Sequence, residues 1–489
     1  MSNILKGINI FRKMPTGNRF VFISISLFIL FWIIVKIIFS KYNVTAEENQ
    51  TILRLVSLSF LALNLIVALI LFSSKPLKIS FKGDNILNFA LLALLISTVL
   101  CVKASAYITF LFFVVTLIYA LVNKRKVRLH PFFAVMVAYY SFQLLGLLWT
   151  IDINEGLKFI DKGLSFIVIP LSFSFFSISK EQRDKVLRLF FRFLTPYLLM
   201  GIIGYIFQVY FHKLNLFVGL WFAKFYFPPI LNLVDFFDQI FSGIGYGHPT
   251  YISFILTVMI AVGFYLWRNG QKNGQNDTNG ITKFELTVYL VLSAFVIFIL
   301  KSRLGFIMFP FGVLISVLFT IRKRKQMPFI LIFLFVLAIL TSILSYKYTD
   351  QHSFMNDSDR KNIFGFVVDY IKNNPLTGTG TGSMAIVLRN VEHAVNAHNQ
   401  FIGELFHLGI GGLIMFLFLI GTVIYHGIKS RNYMLLYFMV IFTLLMITEM
   451  PLAIQKGISA FTLFTCLFLQ PGWNIKPDDN MFSKKTSYK

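Results

Sequence analysis

Long apolar stretches alternate along the chain with short polar breaks. The stretch from Phe20 to Phe39 is almost continuously apolar over the ~20 residues that a helix needs to cross a bilayer. Runs of this kind predict helices, whereas a membrane barrel alternates apolar and polar residues over strands of ~10 residues. Such windows fall at 20–39, 52–72, 86–102, 105–122, 131–149, 160–178, 187–211, 251–267, 285–300, 304–321, 328–345, 403–428, 433–448 and 457–470. The pattern therefore predicts an all-α polytopic membrane protein of fourteen transmembrane helices, with twelve as the lower count.

Composition agrees and removes the soluble classes. Of 489 residues, 57% are hydrophobic and 13% charged, against about 45–50% and about 25% in soluble domains. Too few charges are present to wet the surface of several globular cores. The 58 Phe and 20 Tyr suit helices that face lipid and need no wet side. A net charge of +24 would suggest nucleic acid as the partner of a soluble protein. In a membrane protein it reports cytoplasmic loops, which retain Lys and Arg. Basic clusters at Lys75–Lys82, Lys124–Arg128, Lys180–Arg188, Arg268–Lys272, Arg322–Lys325 and Lys429–Arg431 all fall in loops of one side, so both termini are expected to be cytoplasmic. The first apolar run is longer than a signal peptide core and reads as a retained helix. Cys101 and Cys466 both lie in apolar runs and build neither a disulfide framework nor a zinc site.

The expected organisation is six segments: helices over 1–211, an aromatic loop over 212–250, helices over 251–345, a polar loop over 346–402, helices over 403–470, and a cytoplasmic tail over 471–489. Loops as long as the two on the outer face are usually functional. The first carries Trp221, Phe222, Phe225, Tyr226 and Phe227 beside Lys213 and Lys224, a pattern for segments lying in the membrane interface. The second is polar and electrically balanced, so its basic residues escape the cytoplasmic explanation. Residues 269–280 form a flexible linker without chemistry.

The candidate chemistry collects around the polar loop. His398 sits where this loop enters a span, placed to exchange a proton with a substrate, or else to serve as a solvated loop histidine. Lys301, Ser302 and Arg303 interrupt two apolar runs so briefly that Arg303 must lie near the outer interface, where it pairs with an anion or snorkels to headgroups. Arg360 and Arg389 flank the polar loop, and their planar forks match phosphate oxygens. Asn374 to Gly382 looks like a phosphate cradle but lacks the Lys-Ser/Thr of a P-loop, and a flexible turn after an amphipathic helix at 361–373 is the better reading. Asp357-Ser358-Asp359 has the spacing of some metal-holding glycosyltransferases, a weak match. His248 opens one span, and Glu449, Gln455 and Lys456 cap the last outer hairpin, either lining one cavity or anchoring helix ends. Gly409, Gly411 and Gly412 are expected to let helices pack closely.

In this order, Ser302-Arg303-Leu304-Gly305, Arg360 before an amphipathic helix, Asn374-Pro375-Leu376 with Gly378 and Gly380, and His398-Asn399 with Phe401, Glu404 and Gly409 resemble the O-antigen ligase and Wzy polymerase superfamily. His248-Pro249-Thr250-Tyr251 and Glu449 to Gly457 are similar to a branch common in Bacteroidetes. Phe364 stands where the family often carries Trp.

The resemblance implies a GT-C-type glycosyltransferase of the bacterial inner membrane with its active site facing the periplasm. Its donor would be an undecaprenyl-diphosphate-linked glycan, and its acceptor a lipid A-core sugar hydroxyl for a ligase or another lipid-linked glycan for a polymerase. Transfer would invert the anomeric centre without metal or other cofactor. Carried onto this chain, His398 would take the acceptor proton, and Arg303 and Arg360 would neutralise the diphosphate. Arg389, His248, Lys301, Asn399, Glu449 and Lys456 complete the candidate substrate-binding set. The competing class, a transporter or flippase, predicts ionisable residues through the full membrane thickness. Here Lys36 and Arg54 fall inside spans but near enough to their ends to snorkel, and the polar groups otherwise collect on one face.

Overall fold

A computed structural model describes residues 14–41, 59–60, 63–64, 66–67, 71, 83–100, 103–125, 127, 130–211, 249–272, 280–300, 302–320, 357–390 and 396–470. Among them there is no strand. In chain order the helices are α1 (Thr16–Lys41), α2 (Gly83–Leu100), α3 (Lys103–Val122), α4 (Pro131–Leu145), α5 (Ile153–Gly163), α6 (Ser165–Phe175), α7 (Lys180–Phe211), α8 (Pro249–Lys272), α9 (Lys283–Leu300), α10 (Arg303–Thr320), α11 (Asp357–Asn373), α12 (Met384–Val387), α13 (Gln400–Lys429), α14 (Tyr433–Thr448) and α15 (Gln455–Leu469). Among the described residues, five helices are long and apolar enough to cross a bilayer, in α3, α4, α8, α9 and α13, and five shorter apolar ones fall in α1, α2, α10, α14 and α15. The predicted spans 52–72 and 328–345 lie mostly or wholly outside the described residues, as do the aromatic loop over 212–248 and the tail after 470.

The chain divides into two compact units. One takes residues 1–125, 181–359 and 455–457. Its central helix is α8, 89% of whose apolar window is covered by protein, which makes it a core helix. Polar groups on α8 are spent locally: Ser253 donates to the Pro249 carbonyl (2.8 Å) and Thr257 to that of Ser253 (2.8 Å). Gly305 brings α10 hard against α8, because a Cβ there would stand 2.5 Å from Ser253 Oγ. Tyr289 of α9 donates to the Leu256 carbonyl of α8 at 2.8 Å. Buried charge is paired, as its desolvation cost requires. Arg192 of α7 grips both carboxylate oxygens of Glu285 on α9, at 2.6 and 3.3 Å, and Arg183, fully buried, reaches Asp184 and the Tyr265 hydroxyl.

The other unit takes residues 126–180, 360–454 and 458–489. α4 starts on His130, whose Nδ1 accepts from Phe132 N, followed by Pro131 at the first helical position. α14 and α15 close on an aromatic cluster in which Phe438, Phe442, Phe461 and Phe464 lie with ring centroids 5.0–6.5 Å apart. Asn432 caps α14 and donates to the Phe468 carbonyl at 2.6 Å, fastening the start of one helix to the end of another.

The span predicted at 160–178 is instead two helices of 11 residues, α5 and α6. α5 has three sides. Gly156, Ile160 and Gly163 are buried, Ile153, Leu157 and Leu164 form an exposed apolar stripe, and Asn154, Lys158, Asp161 and Lys162 are exposed and polar. A helix with that much charge belongs at an interface rather than in hydrocarbon. α6, about 16 Å long, then runs into extended backbone at Phe176. Phe176 and Ile178 are buried, as irregular backbone in a membrane protein must be.

Candidate functional site

The site is built on a break in α13. At Gly409 the backbone turns to φ 61° and ψ −155°, interrupting the helix near its N-terminal end. The two carbonyls and the amide freed by the break are taken up by the turn that follows α11. Thr379 N donates to the Phe406 carbonyl (2.8 Å), Gly380 N to that of His407 (2.9 Å), and Ile410 N to that of Pro375 (2.9 Å). Gly378, Gly380 and Gly382 all have positive φ. A Cβ on any of them would strike backbone within 2.8 Å, so only glycine fits at this depth. The turn that looked flexible from its sequence is therefore a buried wedge, with residues 378–384 all inside. It also is no phosphate cradle. The amides of residues 378–381 already donate to the carbonyls of Asn374, Phe406, His407 and Gly146.

The wedge leaves the segment Gln400–Leu408 standing above the apolar length of α13, and His398 sits at its head. His398 adopts φ +50°, a conformation non-glycine residues avoid. It is held there by Asn396 Oδ1, which accepts from His398 N at 2.8 Å. Asn399 then caps the helix by accepting from Ile402 N, while its amide donates to the Ile447 carbonyl at 3.0 Å.

This aims His398 at the end of α14. Its Nδ1 lies 3.3 Å from Glu449 Oε2, and both side chains are largely buried. A carboxylate oxygen accepts from an N–H, so in this contact the neutral tautomer with its proton on Nδ1 is the one that leaves a lone pair on Nε2. Nε2 is buried with no hydrogen-bond partner among the described residues. His398 also lines a cavity of about 260 Å³, together with Ile363, Phe364, Ala397, Asn399, Ile447 and Thr448. An imidazole oriented by a carboxylate in the wall of a cavity is suited to accept a proton.

The other sequence candidates are distributed as follows. Arg360 lies on α11 one helical turn before Ile363 and Phe364, its side chain outside the described residues. Arg389 is exposed in the short turn Leu388–Asn390. Arg303 begins α10 in the first unit, half-buried, just after Ser302, whose hydroxyl accepts from Gly305 N at 3.0 Å. Lys456 is buried in the first turn of α15. His248 and Lys301 lie outside the described residues, as do the side chains of Asp357 and Asp359.

Sequence reasoning missed the buried polar chain beneath His398. Glu404 accepts at the same oxygen from the Tyr139 hydroxyl (2.6 Å) and from Gln400 Nε2 (2.7 Å), and Gln400 Oε1 accepts from Leu452 N (2.9 Å). The available signal was a Gln and a Glu four residues apart at the head of an otherwise apolar helix.

Apolar helices of spanning length carrying a buried polar site define a multi-pass membrane protein. Residues 288–417 match the family model described as O-antigen ligase, so this segment of the chain is similar to the O-antigen ligase and Wzy superfamily. Members of that family are membrane glycosyltransferase-like enzymes that act on lipid-linked glycans. The match runs from α9 into α13; it includes Arg303, Arg360, Arg389, His398, Asn399 and Glu404, and stops before Glu449 and Lys456. No curated protein matches the chain.

Proposed function

We propose that the protein is an O-antigen ligase of GT-C type, passing a glycan from undecaprenyl diphosphate to a lipid A-core sugar hydroxyl on the periplasmic face of the inner membrane. The observation that carries the reading is the His398–Glu449 pair in the wall of the cavity, inside a chain whose residues 288–417 match the ligase family.

In this reaction the acceptor oxygen attacks the anomeric carbon from the side opposite the diphosphate. A carbon–oxygen bond forms, the bond to the phosphate oxygen breaks, and the configuration inverts. His398 Nε2 receives the acceptor proton as the new bond forms, and Glu449 stabilises the imidazolium that results. Negative charge develops on the departing undecaprenyl diphosphate. Guanidinium groups neutralise such charge through bidentate hydrogen bonds, which is the role proposed for Arg360 and Arg303. Supplied with fixed cations, the step proceeds without a divalent metal.

The test is the lipopolysaccharide of a deletion strain, resolved on a gel. A ligase mutant loses core-attached glycan of every length while lipid-linked glycan accumulates. If single glycan units remain attached to the core and only chain length is lost, the acceptor is another lipid-linked glycan and the protein is a polymerase. Unchanged lipopolysaccharide would overturn the proposal.

A further inference from the structure

The His398–Glu449 pair joins two stretches of chain that are 51 residues apart, the head of α13 and the hairpin between α14 and α15. A 3.3 Å contact does not hold two such stretches by itself. On one side of it Asn399 donates to the Ile447 carbonyl, two residues before Glu449. On the other, Gln400 accepts from Leu452 N, three residues after it. Glu449 is therefore bracketed by two side-chain amides that belong to the residues directly following His398.

The second bracket has an unusual feature: Gln400 is buried and its amide is oriented from behind. Gln400 is 1% and Glu404 3% exposed, so an unmet polar group in either would be costly. Tyr139 of α4 donates to Glu404, whose carboxylate oxygen then accepts from Gln400 Nε2. With its NH2 group so engaged, Gln400 must turn its carbonyl oxygen towards the hairpin, where the Leu452 amide meets it. Reversing the amide would set oxygen against Glu404 and NH2 against the Leu452 N–H, losing both bonds.

We infer that Gln400 is a positioning residue for the proposed transfer, holding Glu449 against His398, with Glu404 and Tyr139 fixing the direction of its amide. The inference rests on the reading of His398 as the base, and it goes further by assigning work to three buried residues that touch no substrate. Loss of the bracket lets the hairpin drift, and a displacement of about 1 Å in a catalytic group is enough to cost about 10²-fold in rate.

The experiment uses the full chain in lipid nanodiscs with a lipid-linked glycan donor and a lipid A-core acceptor. Turnover and KM are measured for the wild type, Gln400→Met, Glu449→Ala, their double variant and Glu404→Gln. Gln400→Met keeps the bulk but removes both bonds, and is expected to lower kcat about 10²-fold with KM for both substrates little changed. Glu404→Gln can offer an NH2 as well as a carbonyl to Gln400, so it no longer fixes the direction of that amide and is expected to lower kcat, though by less than Gln400→Met. The diagnostic is the double variant: if Gln400 works through Glu449, its substitution adds nothing once Glu449 is gone. Multiplicative losses, or normal turnover by Gln400→Met, would overturn the inference. If Gln400→Met does not elute as folded protein, Tyr139→Phe replaces it in the same cycle, since it deletes only one hydroxyl. Absence of transfer by the wild type itself would sink the proposed function instead. The bracket is then read from the rate at which diethyl pyrocarbonate modifies His398, by peptide mass spectrometry. That rate should rise several-fold in Gln400→Met with His130 and His426 unaffected, and an unchanged rate would refute the bracket.

Discussion

Gly380→Ala is expected to destabilise the protein by about 3–4 kcal/mol, although it adds one methyl group. Two costs combine. Gly380 has φ +91°, and a left-handed backbone costs an L-residue roughly 1–2 kcal/mol. The new Cβ would also stand 2.3 Å from Thr150 Cα and 2.6 Å from Thr150 N, atoms that cannot swing aside as a side-chain end can. Relieving that overlap moves the turn by about 1 Å, enough to break the bonds from Gly380 N to the His407 carbonyl (2.9 Å) and from Thr381 N to that of Gly146 (3.1 Å). Each contributes about 1 kcal/mol. Gly365 is the control. It lies in α11 with nothing within 4 Å of its Cβ position, so Gly365→Ala should stabilise by about 0.5–1 kcal/mol through helix propensity alone. Apparent thermal midpoints of the two variants in identical nanodiscs and at one scan rate decide the matter. A Gly380→Ala midpoint equal to that of wild type would show that the turn is not wedged into α13 as described.

Three further outcomes are expected. Glu285→Leu leaves the buried Arg192 guanidinium without its carboxylate and should cost about 3–5 kcal/mol, whereas Arg192→Leu with Glu285→Leu should cost less than the single change; the same melts check it. Partial burial, with His426 close by, holds the imidazole of His130, an exposed residue, below its usual range, so the folded state favours the neutral ring. Its contribution is present above the ordinary imidazole pKa and is lost as pH falls through the folded value, so the midpoint should drop more between pH 7.5 and 5.5 in wild type than in His130→Asn, which keeps the helix cap. Arg303→Lys keeps the charge but loses the fork, so glycan transfer should fall sharply if Arg303 binds diphosphate, and stay normal if it only anchors α10.

The spans were legible because hydrophobic continuity over ~20 residues has one cheap solution in lipid. The windows at 105–122, 285–300 and 433–448 coincide with α3, α9 and α14 within a few residues. Hydropathy was blind where tertiary contacts break a helix. The division of 153–175 into α5 and α6 depends on which side of α5 meets protein, and the kink at Gly409 depends on a turn some thirty residues upstream. His398 and Glu449 were each visible as candidates, but nothing in their spacing pairs them, since the contact arises only when α13 and α14 pack as a hairpin. Gln400 and the part played by Glu404, visible only as a motif position, were hidden for a related reason: a polar residue in an apolar helix reads as an exception until its partners Leu452 and Tyr139 are seen.

Glycan transfer by purified His398→Ala, compared with wild type in nanodiscs holding a lipid-linked glycan and a lipid A-core acceptor, tests the central claim most directly. Donor binding and the elution profile serve as controls for folding. If His398 accepts the acceptor proton through its bare Nε2, the variant should bind donor normally and transfer about 10²–10⁴-fold more slowly. Transfer at near wild-type rate by folded His398→Ala would remove the base from the mechanism, and with it the function assigned to the cavity.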